Sequence, residues 1–393
     1  MLIWLLSDHD HRKHLAFKNL LARFSSSFPD ARVEFAVKSR NSLWESLFGH
    51  LRDPKRNPLA DIIEVPQNWT ELFSRLGLLA DLAPRVEAAS QKRFPDFILK
   101  ELCRGDDARV FSAPWWLEAP ALFYRPQELK GAVNDPAAEL ASWEGFRAAL
   151  DRVGGRRRGG RFRALSVPGS SGSVSVADVL PRVWGRRGGL FSDDFNRATF
   201  TREETAGGIE DWLELAVSGK IELFSPDRFE NGPGSIEDCA FLISPRKIHG
   251  AGRAGVKMLP YPGYPSGGGL MLVSNLAVSA SGRAQDEACA FVSWALEPRN
   301  IAQFTDGFGV FPCLKNVFEE RLREERESEV YRRLFAAPEL KPNIMVYPTA
   351  ELLLERALWN LSLKIARRDY EREDLTRELI MAQGEADYLL SLY

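Results

Sequence analysis

Three observations in the sequence predict an α/β protein of two domains. Residues 2–79 alternate short apolar runs with amphipathic segments, and the middle of the chain repeats this alternation. The third observation is length, because 393 residues exceed the usual size of one domain. Alternating strands and helices are typical of parallel sheets with crossover helices.

The first elements place two polar loops at one edge of the predicted sheet. The predicted strands are residues 2–6, 31–37 and 61–65, and the predicted helices are 12–28, 42–52 and 70–79. Ligands of such sheets bind beyond the carboxyl ends of the strands. The loops at that edge, residues 7–10 and 66–69, are rich in side chains that form hydrogen bonds or stack.

The rest of the chain supplies a second set of elements. Ser142 is a suitable N-cap for a helix, and residues 163–167 and 239–244 are predicted strands. A flexible loop over 168–173 leads into a helix that contains Trp184. The chain from Asp286 onward is predicted to be mostly helical.

Composition excludes several classes of partner. The net charge is −2, with 52 basic and 54 acidic side chains, so neither nucleic acid nor an anionic membrane surface is expected as a partner. No apolar run approaches the roughly 18 residues of a membrane span. The N-terminus lacks the features of a signal peptide, which indicates a mature region or a cytoplasmic protein. The four cysteines show no metal-binding spacing and favour a reducing compartment.

Several segments, in order, resemble the extracellular solute-binding proteins that include the maltose-type substrate-binding proteins of ABC importers. The matching segments are residues 3–35, 60–82, 111–125, 180–191, 275–296 and 307–312. Among them, Leu76-Gly-Leu-Leu-Ala-Asp-Leu82 and Leu122-Phe-Tyr-Arg125 are similar to motifs of that family. Two features depart from it: Ser244-Pro-Arg-Lys-Ile248 carries no aromatic, and Val273-Ser274 replaces a glycine pair.

The resemblance implies a fold and a function. It implies two Rossmann-like lobes joined by a hinge, the periplasmic-binding-protein type II fold, with a ligand held between the lobes. The expected lobes are residues 1–111 plus 277–312 and residues 112–276 plus 313–393. The implied function is binding of a mono- or oligosaccharide by a periplasmic or extracellular monomer that serves an ABC permease. The alternatives are a cytoplasmic ligand-sensing domain and a protein-interaction module of the same fold.

Sugar sites combine flat apolar faces with carboxylates or amides that meet the hydroxyl groups. For each tryptophan near the predicted site, packing in a core is an equally good explanation. The candidate ligand-binding residues are Asp8, Gln67, Asn68, Trp69, Trp115, Trp116, Glu118, Tyr124, Trp184, Ser244, Arg246, Ser274 and Asn275.

Neither metal binding nor catalysis is predicted. The segment Asp8-His-Asp-His11 and His14 resemble a metal cluster, yet a solvated helix start explains the same residues. The arginines of residues 156–163 are predicted to be a solvated turn. Walker, G-x-G-x-x-G, G-x-S-x-G and H-E-x-x-H motifs are all missing from the sequence. We therefore expect no enzyme activity, no metal and no cofactor.

Overall fold

The computed structural model divides into two compact units. It describes residues 1–7, 11–86, 93–102, 109–154, 163–167, 172–224, 236, 239–247, 255–264, 268–325 and 328–392. Unit 1 contains Met1–Glu118, Met271–Arg326 and Leu340–Met345, and unit 2 contains Ala119–Leu270, Glu327–Glu339 and Val346–Tyr393. The chain therefore passes between the units five times, after Glu118, Leu270, Arg326, Glu339 and Met345.

Unit 1 consists of a sheet that contains both parallel and antiparallel strands, together with α-helices. Its strands are β1 (Leu2–Leu6), β2 (Glu34–Lys38), β3 (Ile62–Pro66), β4 (Ala113–Glu118), most of β9 (Gly269–Val278) and β10 (Phe311–Pro312). Its helices are α1 (His11–Ser27), α2 (Arg40–Arg52), α3 (Thr70–Arg75), α4 (Asp96–Leu102), α10 (Gln285–Ala295), α11 (Pro298–Phe308) and α12 (Lys315–Glu324). A 3₁₀ turn, Gln67–Trp69, separates β3 from α3.

The strand order of this sheet is β10-β4-β9-β3-β1-β2, and a further strand, β11 (Pro338–Leu340), pairs with β9. Strand β1 lies parallel to β2 and β3, which confirms the alternation predicted for the N-terminal residues. Strand β9 is antiparallel to both β3 and β4. The carboxyl ends of β1 and β3 therefore lie at one edge of the sheet, where ligands of such sheets bind.

The core of unit 1 lies between the sheet and its helices. Phe17 of α1 is fully buried and makes edge contacts with Trp115, Phe291 and Phe304. Gly307 lets α11 approach α1 closely, because a Cβ there would lie 2.9 Å from the Cβ of Ala16. This packing fixes α1 against β4, and with it the first residues of α1 that follow β1.

Unit 2 has its own smaller sheet, of order β6-β7-β5-β8. The strands are β5 (Ala121–Tyr124), β6 (Arg163–Ser166), β7 (Cys239–Ser244) and β8 (Lys257–Pro260). The helices are α5 (Pro126–Leu129), α6 (Pro136–Glu139), α7 (Trp143–Gly154), α8 (Val176–Gly185), α9 (Glu203–Val217), α13 (Ser328–Ala336), α14 (Tyr347–Arg367) and α15 (Arg372–Leu390). Two α/β units, each with its own sheet, confirm the predicted fold class.

None of the described helices combines the length and apolarity that crossing a membrane requires.

Candidate functional site

A buried ion pair lies at the carboxyl ends of the parallel strands of unit 1. The Nζ of Lys13, in the first turn of α1, lies 2.7 Å from Oε1 of Glu64 in β3, and both side chains are almost completely buried. The ammonium group also donates to the carbonyl oxygen of Leu6, the last residue of β1. A buried charge is tolerated when it is paired and its hydrogen bonds are satisfied.

Three further donors surround the carboxylate of Glu64. Its Oε1 accepts hydrogen bonds from the indole Nε1 of Trp116 at 3.0 Å and from the hydroxyl of Ser274 at 2.6 Å. Its Oε2 accepts from the backbone amide of Leu6 at 3.0 Å. Glu64 therefore joins β1, β3, β4, β9 and α1 in one polar cluster, which we call the Glu64 cluster: Lys13, Glu64, Trp116, Glu118 and Ser274.

Aromatic rings complete this cluster. The Lys13 ammonium lies 4.7 Å from the centroid of the Trp116 ring and 5.8 Å from that of Phe308, within the range of cation–π attraction. Trp116 and Phe308 pack edge to face, with ring centroids 5.2 Å apart. The Trp116 ring is 6% exposed, so an aromatic face and charged groups share one largely desolvated corner of the unit.

Glu118, the last residue of β4, has an unusual acidity. The pKa of its carboxyl is raised to about 7, mainly by burial and to a smaller extent by the nearby carboxylate of Glu64, while the charge of Lys13 acts in the opposite direction. The proton on this group is therefore gained or lost near neutral pH. When it is protonated, this carboxyl can donate a hydrogen bond to a polar ligand, and when it is ionised it can accept one.

A second group of buried polar side chains follows β3. The amide Nδ2 of Asn275 donates to the hydroxyl of Ser112 at 2.8 Å, and this hydroxyl lies 2.9 Å from that of Thr70. Among the described atoms, Oδ1 of Asn275 and Nε2 of Gln67 are buried without a hydrogen-bond partner. Such groups are rare in proteins and often mark a place where a water or ligand contributes the missing bond.

The rings of Trp69 and Trp115 have a packing role in unit 1, which was the alternative kept open for each. Trp69 is fully buried and packs edge to face against Trp44 and Phe73. Trp115 is also fully buried and stacks on Phe304 with centroids 4.1 Å apart. A register shift in the pairing of β4 with β9 interrupts strand alternation, so neighbouring Trp115 and Trp116 both contact α1 and α11. Asn68, beside Trp69, is buried as well.

The candidates in unit 2 lie on separate elements. Tyr124 ends β5 and Trp184 lies in the last turn of α8, and both are half-buried. Ser244, at the end of β7, forms a local turn in which its hydroxyl donates to the carbonyl of Arg246 at 3.2 Å. Asp8, the remaining candidate, lies outside the described residues.

Within the Glu64 cluster, Lys13 and Glu64 are the two residues that sequence reasoning did not select. Glu64 carried a signal, because it is an acidic residue inside an otherwise apolar strand, Ile62-Ile-Glu-Val65. Lys13 carried none, since it stands among other charged residues at a helix start. Among the residues that the structure describes, no group of three His, Cys, Asp or Glu side chains is arranged to hold a metal ion.

The sequence is similar to one family of known proteins. A family model described as bacterial extracellular solute-binding protein matches residues 19–328, well over half of the chain. The chain belongs to this family. A comparison with curated protein sequences gave no match.

Solved structures resemble the protein over nearly its whole length. The GacH receptor of Streptomyces glaucescens, known unliganded and with acarbose, has a TM-score of 0.78 at 15% identity, covering 98% of both chains. The maltotriose-binding protein of Thermus thermophilus has a TM-score of 0.75 at 15% identity, covering 99% of this chain and 100% of its own. An ABC substrate-binding protein of Listeria monocytogenes, solved with cycloalternan, has a TM-score of 0.78 at 12% identity, covering 100% and 98%. At these identities the likeness establishes the fold, and the predicted periplasmic-binding-protein fold is confirmed.

Proposed function

We propose that the protein binds a carbohydrate and acts as the substrate-binding component of an ABC importer. The observation that carries this proposal is the Glu64 cluster, where a tryptophan ring lies beside carboxyl, hydroxyl and ammonium groups at the carboxyl ends of β1 and β3. Sugar rings offer an apolar C–H face and a rim of hydroxyl groups, and this combination of side chains matches both.

Family membership and the compared structures support the same function. The family is described as solute-binding and extracellular. Three proteins of the same fold are described with acarbose, maltotriose or cycloalternan. We infer that this chain likewise binds an oligosaccharide outside the cytoplasmic membrane, releases it unchanged to a permease, and works as a monomer.

The packing of the aromatic rings separates the candidate residues into two groups. Trp69 and Trp115 have packing roles, and they contribute to binding indirectly, by holding the elements of the site in place. The proposed direct contacts in unit 1 are Gln67, Trp116, Glu118 and the buried polar residues Asn68, Ser274 and Asn275. Those in unit 2 are the half-buried Tyr124 and Trp184, together with Ser244 and Arg246.

A thermal-shift screen of saccharides tests the function. Any ligand that binds only the folded state raises apparent stability, by about 2.7 kcal/mol at a concentration 100 times Kd. We expect maltose, maltotriose or a longer neutral oligosaccharide to raise the melting temperature in a concentration-dependent way. If no saccharide has an effect at millimolar concentration, the carbohydrate proposal is wrong.

A further inference from the structure

Glu64 is an unusual residue for the centre of a sheet. It occupies a fully buried position of β3 between Ile63 and Val65, which are also fully buried. An isolated carboxylate at such a position is strongly unfavourable, and an apolar side chain would satisfy the strand without this penalty. The stability of β3 therefore does not explain an acidic residue here, and its effect on the surrounding charges must be considered.

That effect is to cancel the charge of Lys13. The two side chains form a contact of 2.7 Å with both partners at most 2% exposed, so water screens the pair little. Glu118 is a further charged group of this cluster, and it interacts electrostatically with both. With Lys13 and Glu64 ionised, the described charges of the Glu64 cluster sum to zero when Glu118 is protonated and to −1 when it is ionised.

Resting on the proposed function, we infer that Glu64 is a specificity-determining residue: by neutralising Lys13 it makes the site select neutral saccharides and reject uronic acids and other anionic solutes. Without the Glu64 carboxylate, the cluster is more positive by one unit charge in either protonation state of Glu118, and one charge fewer opposes the attraction of an anion by the Lys13 ammonium. A unit charge about 6 Å from that ammonium, at an effective dielectric constant of about 20, would gain roughly 100-fold in affinity. With Glu64 in place, attraction by Lys13 and repulsion by Glu64 oppose each other, so the free-energy cost of removing the anion's charge from water is left uncompensated.

The alternative is that Glu64 only holds Lys13, Trp116 and Ser274 in position. A positioning role affects neutral and anionic sugars alike, because both meet the same displaced side chains. A charge role changes their ratio. The ratio of Kd values for an acidic sugar and its neutral counterpart therefore distinguishes the two roles.

The test uses matched sugars and a set of charge variants. Calorimetric titrations measure Kd for glucose and glucuronate, galactose and galacturonate, and maltose and maltobionate. The proteins are the wild type, Glu64→Gln, Lys13→Met and the double variant Glu64→Gln/Lys13→Met. Glutamine retains an acceptor for Trp116 and Ser274, and the double variant leaves no buried unpaired charge. Glu101→Gln is the control, because Glu101 is also buried in unit 1 and bonds to the backbone amide of Asn343.

We expect the wild type to bind the acidic member of a pair at least about 10-fold more weakly than the neutral member. Glu64→Gln should reduce this preference by roughly 10- to 100-fold, Lys13→Met should increase it, and the double variant should restore the wild-type ratio. The control should leave the ratio unchanged. If Glu64→Gln does not fold, the wild type and the Lys13→Met and double variants still decide the matter.

Two results overturn the inference. One is a wild type that prefers the acidic sugar, and the other is a ratio that stays constant through the charge variants while neutral sugars still bind. In the second case Glu64 is a positioning residue and the proposed function stands. If a folded wild type binds none of these sugars, the proposed function fails and the inference fails with it.

Discussion

At the scale of single residues, the Glu64 cluster places ionisable groups where protein interiors rarely hold them. Glu118 is the one whose acidity changes a measurable property, because burial raises its carboxyl pKa from 4.5 to about 7. A carboxyl with a raised pKa in the folded state holds its proton more tightly when folded than when unfolded. Its contribution to stability is therefore complete below the unfolded pKa and is lost as pH rises through the folded pKa.

This linkage gives a prediction for pH and stability. As the pH rises from 4.5 to above 7, ionisation of Glu118 should remove about 3 kcal/mol from the free energy of unfolding. Glu118→Gln carries no ionisable group at this position, so its stability should fall less over the same range. Urea unfolding at intervals from pH 4.5 to pH 8.5 measures the difference. Parallel curves for the two proteins would show that Glu118 titrates normally.

The neighbouring tryptophans Trp115 and Trp116 give a second prediction. Trp116→Ala should weaken saccharide binding roughly 30- to 150-fold, because it removes an aromatic face from a desolvated site. Since the ring is 6% exposed and bonded to Glu64, the same change should also lower stability. Trp115→Ala is the matched control: it should cost about 3–5 kcal/mol of stability with a much smaller effect on Kd. Equal losses of affinity in the two variants would remove Trp116 from the site.

At the scale of secondary-structure elements, the sequence predicted individual helices and strands better than it predicted which strands pair. Strands β1, β2 and β3 and their helices were predictable because hydrophobic periodicity is local. Strand β9 pairs with β3 about two hundred residues earlier in the chain, and no local pattern encodes that pairing. For the same reason, the Lys13–Glu64 contact between residues 51 apart and the packing of Trp69 became visible only in the structure.

Packing of α8 on α9 gives a prediction at this scale. A Cβ on Gly208 of α9 would lie 2.6 Å from the Cα of Val183 in α8, closer than side-chain carbons approach a backbone. Gly208→Ala should therefore force the helices apart and destabilise the protein by about 1–3 kcal/mol. Gly384→Ala in α15 is the matched control, because nothing lies within 4 Å of its added Cβ. The control should gain up to about 1 kcal/mol from helix propensity.

Denaturant unfolding of both glycine variants measures this prediction. Two variants of equal stability would show that α8 and α9 tolerate a wider separation, and the close approach at Gly208 would then have no structural role.

At the scale of the whole molecule, the chain keeps the fold of solute-binding proteins while sharing 12–15% of its residues with the three compared structures. Fold class and family were predictable because ordered motifs and alternating elements extend along the chain. The ligand was not, since a binding site depends on a few side chains brought together from distant segments. Glu64 shows this: one residue changes the charge of the site and leaves the fold pattern intact.

Direct titration with a neutral oligosaccharide tests the central claim most directly. Calorimetry of the purified protein with maltotriose, and with the best hit of the thermal-shift screen, should show saturable binding of one ligand per chain. The affinity should fall in the Trp116→Ala protein and persist in Trp115→Ala. If the folded wild type shows no heat of binding and no shift in melting temperature with any saccharide at millimolar concentration, the carbohydrate-binding account is contradicted.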